Sequence, residues 1–437
     1  MNSSPKKYSA RSATSVIVAN MIGTGVFAAL GMQLVTIQSG FVILMLWAVG
    51  GLTALCGALS YAELGASMPD GGGEYNFLSK IYHPMAGFVA GWVSVTIGFA
   101  APVALTAILF GAYFLKVFPI ADVKIIAVSL IALITIIHIT THKKSGGFHQ
   151  IMTLLKLLLI VGFSIFAFVM IEKPQDISFV PRLNDLDLIF SSSFAVALVF
   201  VNYAYMGWNS ATYISRELDN PQKSLPKTLL LGTLIVTVLY IVLNFIFLYV
   251  APINEMVNSE EIGYIAAKYA FGDHGATIMS VGLSVILIST VSAMTMAGPR
   301  AFQAIGQDYN LFKKLAHTNK NNIPVFAIIL QSSLSLFFVL TSTFEFIMIF
   351  AGFTLGLSNF VTVLGVIVLR KTQPNLDRPY KTWLYPIIPI TYLCLMGWML
   401  VYIVIHKPNA ALLTLGVIVV GILMYFVSKY FEKKEPV

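Results

Sequence analysis

The sequence predicts an all-α integral membrane protein with twelve transmembrane helices, and three observations carry that expectation. Of the 437 residues, 57% are hydrophobic and 11% charged, where a soluble globular chain holds roughly 45–50% and about 25%. The apolar residues gather into twelve runs, near 14–37, 40–66, 85–115, 124–141, 149–171, 191–216, 226–251, 275–304, 324–342, 344–369, 382–405 and 410–429. The basic residues between these runs crowd onto one side. Such a composition excludes a cytosolic enzyme, a secreted disulfide scaffold, a disordered regulator and a nucleic-acid module. Cys56 and Cys394 both sit inside apolar runs, so no disulfide framework is implied.

A bilayer core takes about 20 apolar residues per helix, and backbone exposed to lipid must satisfy its own hydrogen bonds, which makes these runs helices. The first run is too long for a cleavable signal peptide, and Asn20 and a Gly-Thr-Gly interrupt its centre. With the N-terminus placed in the cytoplasm, 20 of the 27 basic residues fall on the inner side and 6 on the outer, leaving Lys156 inside a span. That asymmetry predicts that both termini are cytoplasmic, and it reads the +8 formal charge as a topological signature. The longest loops, 172–190 and 252–274, fall outside and are too short to fold as domains.

Two spans are interrupted. The first contains Ile22-Gly23-Thr24-Gly25-Val26-Phe27 and the sixth Tyr205-Met206-Gly207-Trp208-Asn209. Glycine costs about 1 kcal/mol in a helix interior, so these stretches favour local unwinding, which at membrane depth is tolerated only where it lines a cavity or is buried in protein. Interruptions five spans apart point to an inverted-repeat transporter with its site at the midplane. Gly87-x-x-x-Gly91 and Gly352-x-x-x-Gly356 have the plainer reading of helix packing faces. A half-helix starting near Val26 offers free N–H groups to an anion, and half-helices ending near Ile22 and Ala204 offer carbonyls to a cation. An α-amino acid is a zwitterion and uses both.

The Ile22–Phe27 stretch resembles the first-helix signature of the amino acid–polyamine–organocation (APC) transporters. So do Tyr61-Ala62-Glu63-Leu64-Gly65 and Pro69-Asp70-Gly71-Gly72-Gly73-Glu74-Tyr75. Gly207-Trp208-Asn209, followed by Glu217, Asn220-Pro221-Gln222 and Leu225-Pro226, is similar to the L-type amino acid transporter branch, and Pro299-Arg300 fits as well. The resemblance covers the chain in order. It implies a single transporter domain over 1–437 with a LeuT-like fold: a first repeat of five helices (about 14–171), an inverted second (about 191–369), and two extra helices (about 382–429). Spans 1, 2, 6 and 7 would move against a scaffold of spans 3, 4, 8 and 9.

Carried over by position, the resemblance implies that Thr24 and the Gly25 amide meet a substrate carboxylate, and that the carbonyls of Met21, Tyr203 and Met206 meet its ammonium. Ile22, Gly23, Ala204, Tyr205, Gly207 and Asn209 complete the expected binding set. It also places Lys156 beside the unwound first helix as a substitute for the sodium ion of more distant relatives. Three positions depart from the family pattern. Arg216 stands where a glutamate is frequent, Met206 replaces a frequent glycine, and Asn209 replaces the glutamate of an acid-resistance antiporter, so that route of pH sensing is not expected.

Spans 1, 3, 6, 8 and 10, which that fold would line the pathway with, carry no Asp or Glu at mid-depth. An unpaired charge there is expensive, so neutral amino acids are favoured over cationic ones or polyamines. Phe99, Tyr203, Trp208, Met294 and Met296 are candidates for side-chain contacts. His138 and His142 lack a third ligand and read as interfacial, Glu63 reads as a structural helix-end partner, and the Asp70–Glu74 loop reads as a tight turn with a gating role open to it. The expected partners are an amino acid substrate and the bilayer, with protons a candidate for coupling. No cofactor, metal, nucleic acid or obligate protein partner is expected. A sensor, a channel and a membrane enzyme are the competing classes. The chain shows no ring of carboxylates or repeated filter, and no H-E-x-x-H or G-x-S-x-G motif.

Overall fold

The computed structural model describes residues 9–140 and 146–432, and all regular structure among them is helical. Lys6, Lys7, His142, Lys143, Lys144, Lys433 and Lys434 lie outside the described residues. The helices run α1 (Ala10–Met21), α2 (Gly25–Gln33), α3 (Gly40–Ser67), α4 (Gly73–Ile81), α5 (Pro84–Val93), α6 (Ala100–Val117), α7 (Val123–Thr140), α8 (Gly146–Met170) and α9 (Leu183–Ile189). They continue as α10 (Ser192–Tyr205), α11 (Pro221–Val250), α12 (Ile253–Met256), α13 (Ile262–Asp308), α14 (Lys313–Ala316), α15 (Val325–Thr341), α16 (Phe344–Thr372), α17 (Ile387–His406) and α18 (Pro408–Glu432).

Their starts follow the sequence. Ser39, Ser191 and Thr343 each accept a backbone N–H from the first turn of α3, α10 and α16, satisfying donors that a helix start leaves open. Pro84 opens α5, where its missing N–H costs nothing. A π-helical turn, Ser94–Gly98, joins α5 to α6 within the third span.

Among the described residues, ten helical stretches are long and apolar enough to cross a membrane, and an eleventh is reached if α9 and α10, bent by 65°, count as one span. The expected twelve is met only by admitting α15, an apolar helix of 17 residues. The two long loops, 172–190 and 252–274, carry more structure than expected. The first contains α9, and the second contains α12 and the start of α13, which kinks at Gly272 (φ 72°).

The core lies where α10 packs against α2, α3 and α16, and where α11 lies along α3 and α1. α13 lies along α6, α15 against α6 and α7, and α17 and α18 against α16. His138 pairs through Nε2 with the Ser292 hydroxyl at 3.0 Å, tying α7 to α13. Glu63, 1% exposed, accepts two bonds from Arg370 (2.8 and 2.7 Å) and the Thr382 N–H (2.7 Å), with Arg378 Nε at 3.6 Å. It fastens α3 to α16 and to the segment before α17. Glu345, in the first turn of α16, pairs with Lys407 at 3.0 Å.

Candidate functional site

α1 stops at Met21 and α2 starts at Gly25, so Ile22, Gly23 and Thr24 leave the helical path. The first bond onto the new start runs from the Phe27 N–H to the Thr24 carbonyl at 3.1 Å. Among the described residues, no backbone acceptor meets the amides of Thr24, Gly25 and Val26. They stand at the positive end of a helix whose nine residues are all buried.

The second break is sharper than the sequence suggested. α10 ends at Tyr205, Met206 turns away (φ −54°, ψ 144°), and Gly207 takes φ 103°. The expected continuation to residue 216 is not an α-helix but a turn and two 3₁₀ turns, Ser210–Thr212 and Ser215–Glu217. Local bonding explains the difference: Thr212 Oγ1 donates to the Asn209 carbonyl and Ser215 Oγ to the Thr212 carbonyl. Short polar side chains compete in this way with helical bonding.

The breaks touch. A β-carbon on Gly25 would lie 2.5 Å from Ala204 Cα, and one on Gly207 would lie 2.9 Å from the Asn20 carbonyl carbon. Tyr240 of α11 spans both ends, its hydroxyl 2.5 Å from the Met21 carbonyl and 3.2 Å from that of Ala204. Lys156 of α8, 7% exposed, donates to the Ile22 carbonyl at 3.1 Å. The Met21 carbonyl also accepts the Gly23 N–H at 2.8 Å, and the Tyr203 carbonyl accepts the Met206 N–H at 3.0 Å. No hydrogen bond among the described residues falls on the Met206 carbonyl.

The structure therefore gathers Met21 through Gly25 with Tyr203, Ala204, Met206, Gly207 and Lys156, and Tyr203 faces the Thr24 side chain. Two expected side chains point elsewhere. The Tyr205 hydroxyl donates to the Trp47 carbonyl at 3.1 Å, and Asn209 Nδ2 donates to Glu74. Trp208, 2% exposed, packs edge-on against Tyr61. Phe99 follows the π turn and is half-buried, as is Met294.

Tyr240 and the partners of Glu74 escaped the sequence reading because the groups that meet them lie far along the chain. The π turn left one weak signal, Gly98 beside Phe99.

The C-terminal end of α2 is covered. The Asn258 N–H donates to the Gly31 carbonyl at 2.8 Å, and Ser259 packs where a β-carbon on Gly31 would go. On the N-terminal side, Ser12, Ser15, Val16, Ala19, Asn20 and Gly23 of the first span are exposed or half-buried. Helical spacing puts most of them on one face of α1.

Apolar helices enclosing two apposed helix breaks define a multi-pass membrane transporter. A sequence profile of amino acid permeases matches residues 8–428, and the chain belongs to that family. It is 29% identical to the human large neutral amino acids transporter small subunit 2 over 436 residues, covering 97% of this chain and 80% of the relative. It is 30% identical to the serine/threonine exchanger SteT of Bacillus subtilis (strain 168) over 387 residues, 86% of each chain. The human b(0,+)-type amino acid transporter 1 is 26% identical over 435 residues, 96% of this chain and 87% of the relative. The protein is an amino acid transporter.

Proposed function

We propose that the protein moves neutral L-amino acids across the cell membrane by sodium-independent alternating access, with exchange or proton coupling supplying the drive. The observation that carries this reading is the contact between the breaks, which sets Gly25, amid the open amides of Thr24, Gly25 and Val26, against Ala204, two residues before the open Met206 carbonyl. One end takes a carboxylate and the other an ammonium. Neither interrupted stretch contains an Asp or Glu.

Lys156 supports sodium independence, since its ammonium already supplies a positive charge to the Ile22 carbonyl. The name of the Bacillus relative favours exchange. The covered C-terminal end of α2 and the exposed face of α1 fit a conformation open to the cytoplasm, given the cytoplasmic termini that the basic asymmetry supports. The 5+5 inverted repeat is part of the same reading. The human relative is by name a small subunit. Cys56 and Cys394 both lie within spans, and no obligate protein partner is part of this reading.

Cationic amino acids or polyamines form the second reading. The nearest acid is Glu74, bonded to Asn209, and its oxygens are already engaged. Uptake of labelled alanine, leucine and arginine into proteoliposomes tests the proposal, with and without sodium, a pH gradient or internal amino acid. Alanine or leucine should enter irrespective of sodium, driven by internal amino acid or by protons. Uptake of arginine alone, or strict sodium dependence, would overturn the reading.

A further inference from the structure

Glu74, the second residue of α4, follows Gly71, Gly72 and Gly73, all at left-handed φ (74°, 86° and 53°). These glycines fold the chain back and bring a carboxylate inside the protein, where Glu74 is only 3% exposed. Oε1 accepts the Tyr61 hydroxyl of α3 at 2.9 Å and Asn209 Nδ2, and Oε2 accepts the Tyr213 hydroxyl. Asn209 and Tyr213 both belong to the irregular segment below the second break.

The titratable and polar groups facing this carboxylate are Tyr61 from α3, Tyr213 and Asn209 from the irregular segment, and Tyr392 from α17. Asn359 and Thr362 of α16 stand behind Tyr61. None is a lysine, arginine or histidine. The charges close by, Asp70, Lys80 and Arg216, pair with one another at the surface. Among the described residues, Glu74 is thus a buried acid held by neutral donors and by the start of its own helix.

Counting protons shows that this arrangement has two states. An ionised carboxylate only accepts, and all three neighbours donate to it. Tyr61, however, also lies 2.9 Å from Asn359 Oδ1, and Asn359 Nδ2 lies 3.7 Å from Met206 Sδ. One hydroxyl proton cannot serve both acceptors. When Glu74 gains a proton, its new O–H donates to Tyr61 Oη and the Tyr61 proton turns to Asn359. The bonds to Asn209 and Tyr213 then lose the charge assistance that makes such bonds roughly twice as strong as neutral ones.

We propose that Glu74 is the proton-sensitive latch of this transporter. Ionised, it holds residues 209–213 against the 70–73 turn and α3. On taking one proton from the aqueous phase on the N-terminal side, it becomes a neutral acid, loosens that segment and passes the change through Tyr61 and Asn359 to Met206. The proton returns to water when the latch resets. Glu74 acts through other residues on the breaks and is a positioning residue. The proposal rests on the transport reading, but its first test does not need substrate.

Amide hydrogen exchange of residues 206–213 in the purified full chain, corrected for intrinsic exchange, should show protection falling as pH falls. Glu74→Gln should be poorly protected at every pH. Tyr61→Phe, which removes the hydroxyl between Glu74 and Asn359, should uncouple Met206, so that its protection no longer follows pH while that of residues 209–213 still does. In sealed vesicles of one orientation, with pH varied only on the N-terminal face, wild-type exchange should rise by up to about tenfold per pH unit, the limit for one proton. Glu74→Gln should be flat. A wild-type pH profile in Glu74→Gln, or a pH step at Met206 that persists in Tyr61→Phe, overturns the latch. Should Glu74→Gln fail to fold, Tyr61→Phe decides alone. Absence of amino acid transport in wild type would sink the transport reading, while the exchange experiment still judges the latch.

Discussion

Replacing Gly25 by alanine tests the contact between the breaks with a single methyl group. Its β-carbon would sit 2.5 Å from Ala204 Cα, 2.7 Å from Ala204 Cβ and 3.2 Å from Ala204 N. Carbon atoms pack at about 3.5–4.0 Å, so α2 and α10 must part by about 1 Å. Backbone neighbours cannot rotate out of the way as a flexible side chain can. The crowding is between the two helices, a different cause from simple obstruction of the Gly25 amide. Overpacking of this kind costs about 1–3 kcal/mol, which leaves the protein folded with a lowered melting temperature. A displacement of about 1 Å at a positioned site costs on the order of 10²-fold, so substrate affinity should fall by one to two decades. Gly25→Leu should abolish binding. Equilibrium binding of labelled substrate to purified protein, with a thermal melt of the same sample, reads both effects. Adding Ala204→Gly removes the second contact and should restore part of the affinity. Binding by Gly25→Ala within about twofold of wild type would refute the apposition argument.

Lys156→Ala leaves the Ile22 carbonyl without its ammonium and should lower transport at least about tenfold, the span of one lost charged hydrogen bond; a fully active variant would return Lys156 to a packing role. Glu63→Gln breaks a buried pair whose guanidinium, Arg370, then lacks its counter-charge. The cost should be about 3–5 kcal/mol, seen as early loss of monodisperse protein on heating, and an unchanged melt would contradict it. Glu260 lies beside the segment that covers α2, and burial, reinforced by the Glu261 charge, pushes its carboxyl up to about 7. A folded value above the unfolded one stabilises below the unfolded value, and that stabilisation is lost as pH rises through about 7. Protection of the Asn258 amide, which donates to Gly31, should therefore weaken across that range in wild type and show no step in Glu260→Gln. A step that persists in the variant would assign it to another group.

The elements legible in the sequence were those written in local chemistry. Gly23, Gly25 and Gly207 announce the breaks because glycine is costly in helices, and Lys156 announces itself as a charge in an apolar run. The half-helix end near Ala204 was legible, but the failure of the helix to resume was hidden, since residues 210–217 are apolar enough to extend the run yet polar enough to bond locally. Tyr240 looked like any aromatic in a span. Its role appears only when carbonyls 219 and 36 positions away arrive at its hydroxyl. Glu74 read as part of a surface turn, because nothing local says that Tyr61, Asn209 and Tyr213 will close around it.

The central claim is that the paired breaks form a socket for both charges of an amino acid, and competition measures that most directly. Wild-type protein in proteoliposomes would take up labelled leucine against excess leucine, N-acetyl-leucine, or isoamylamine, which lacks the carboxylate. The socket predicts that only intact leucine competes, because each analogue leaves one helix end without its counter-charge. Competition by either analogue as strong as that of leucine would contradict it.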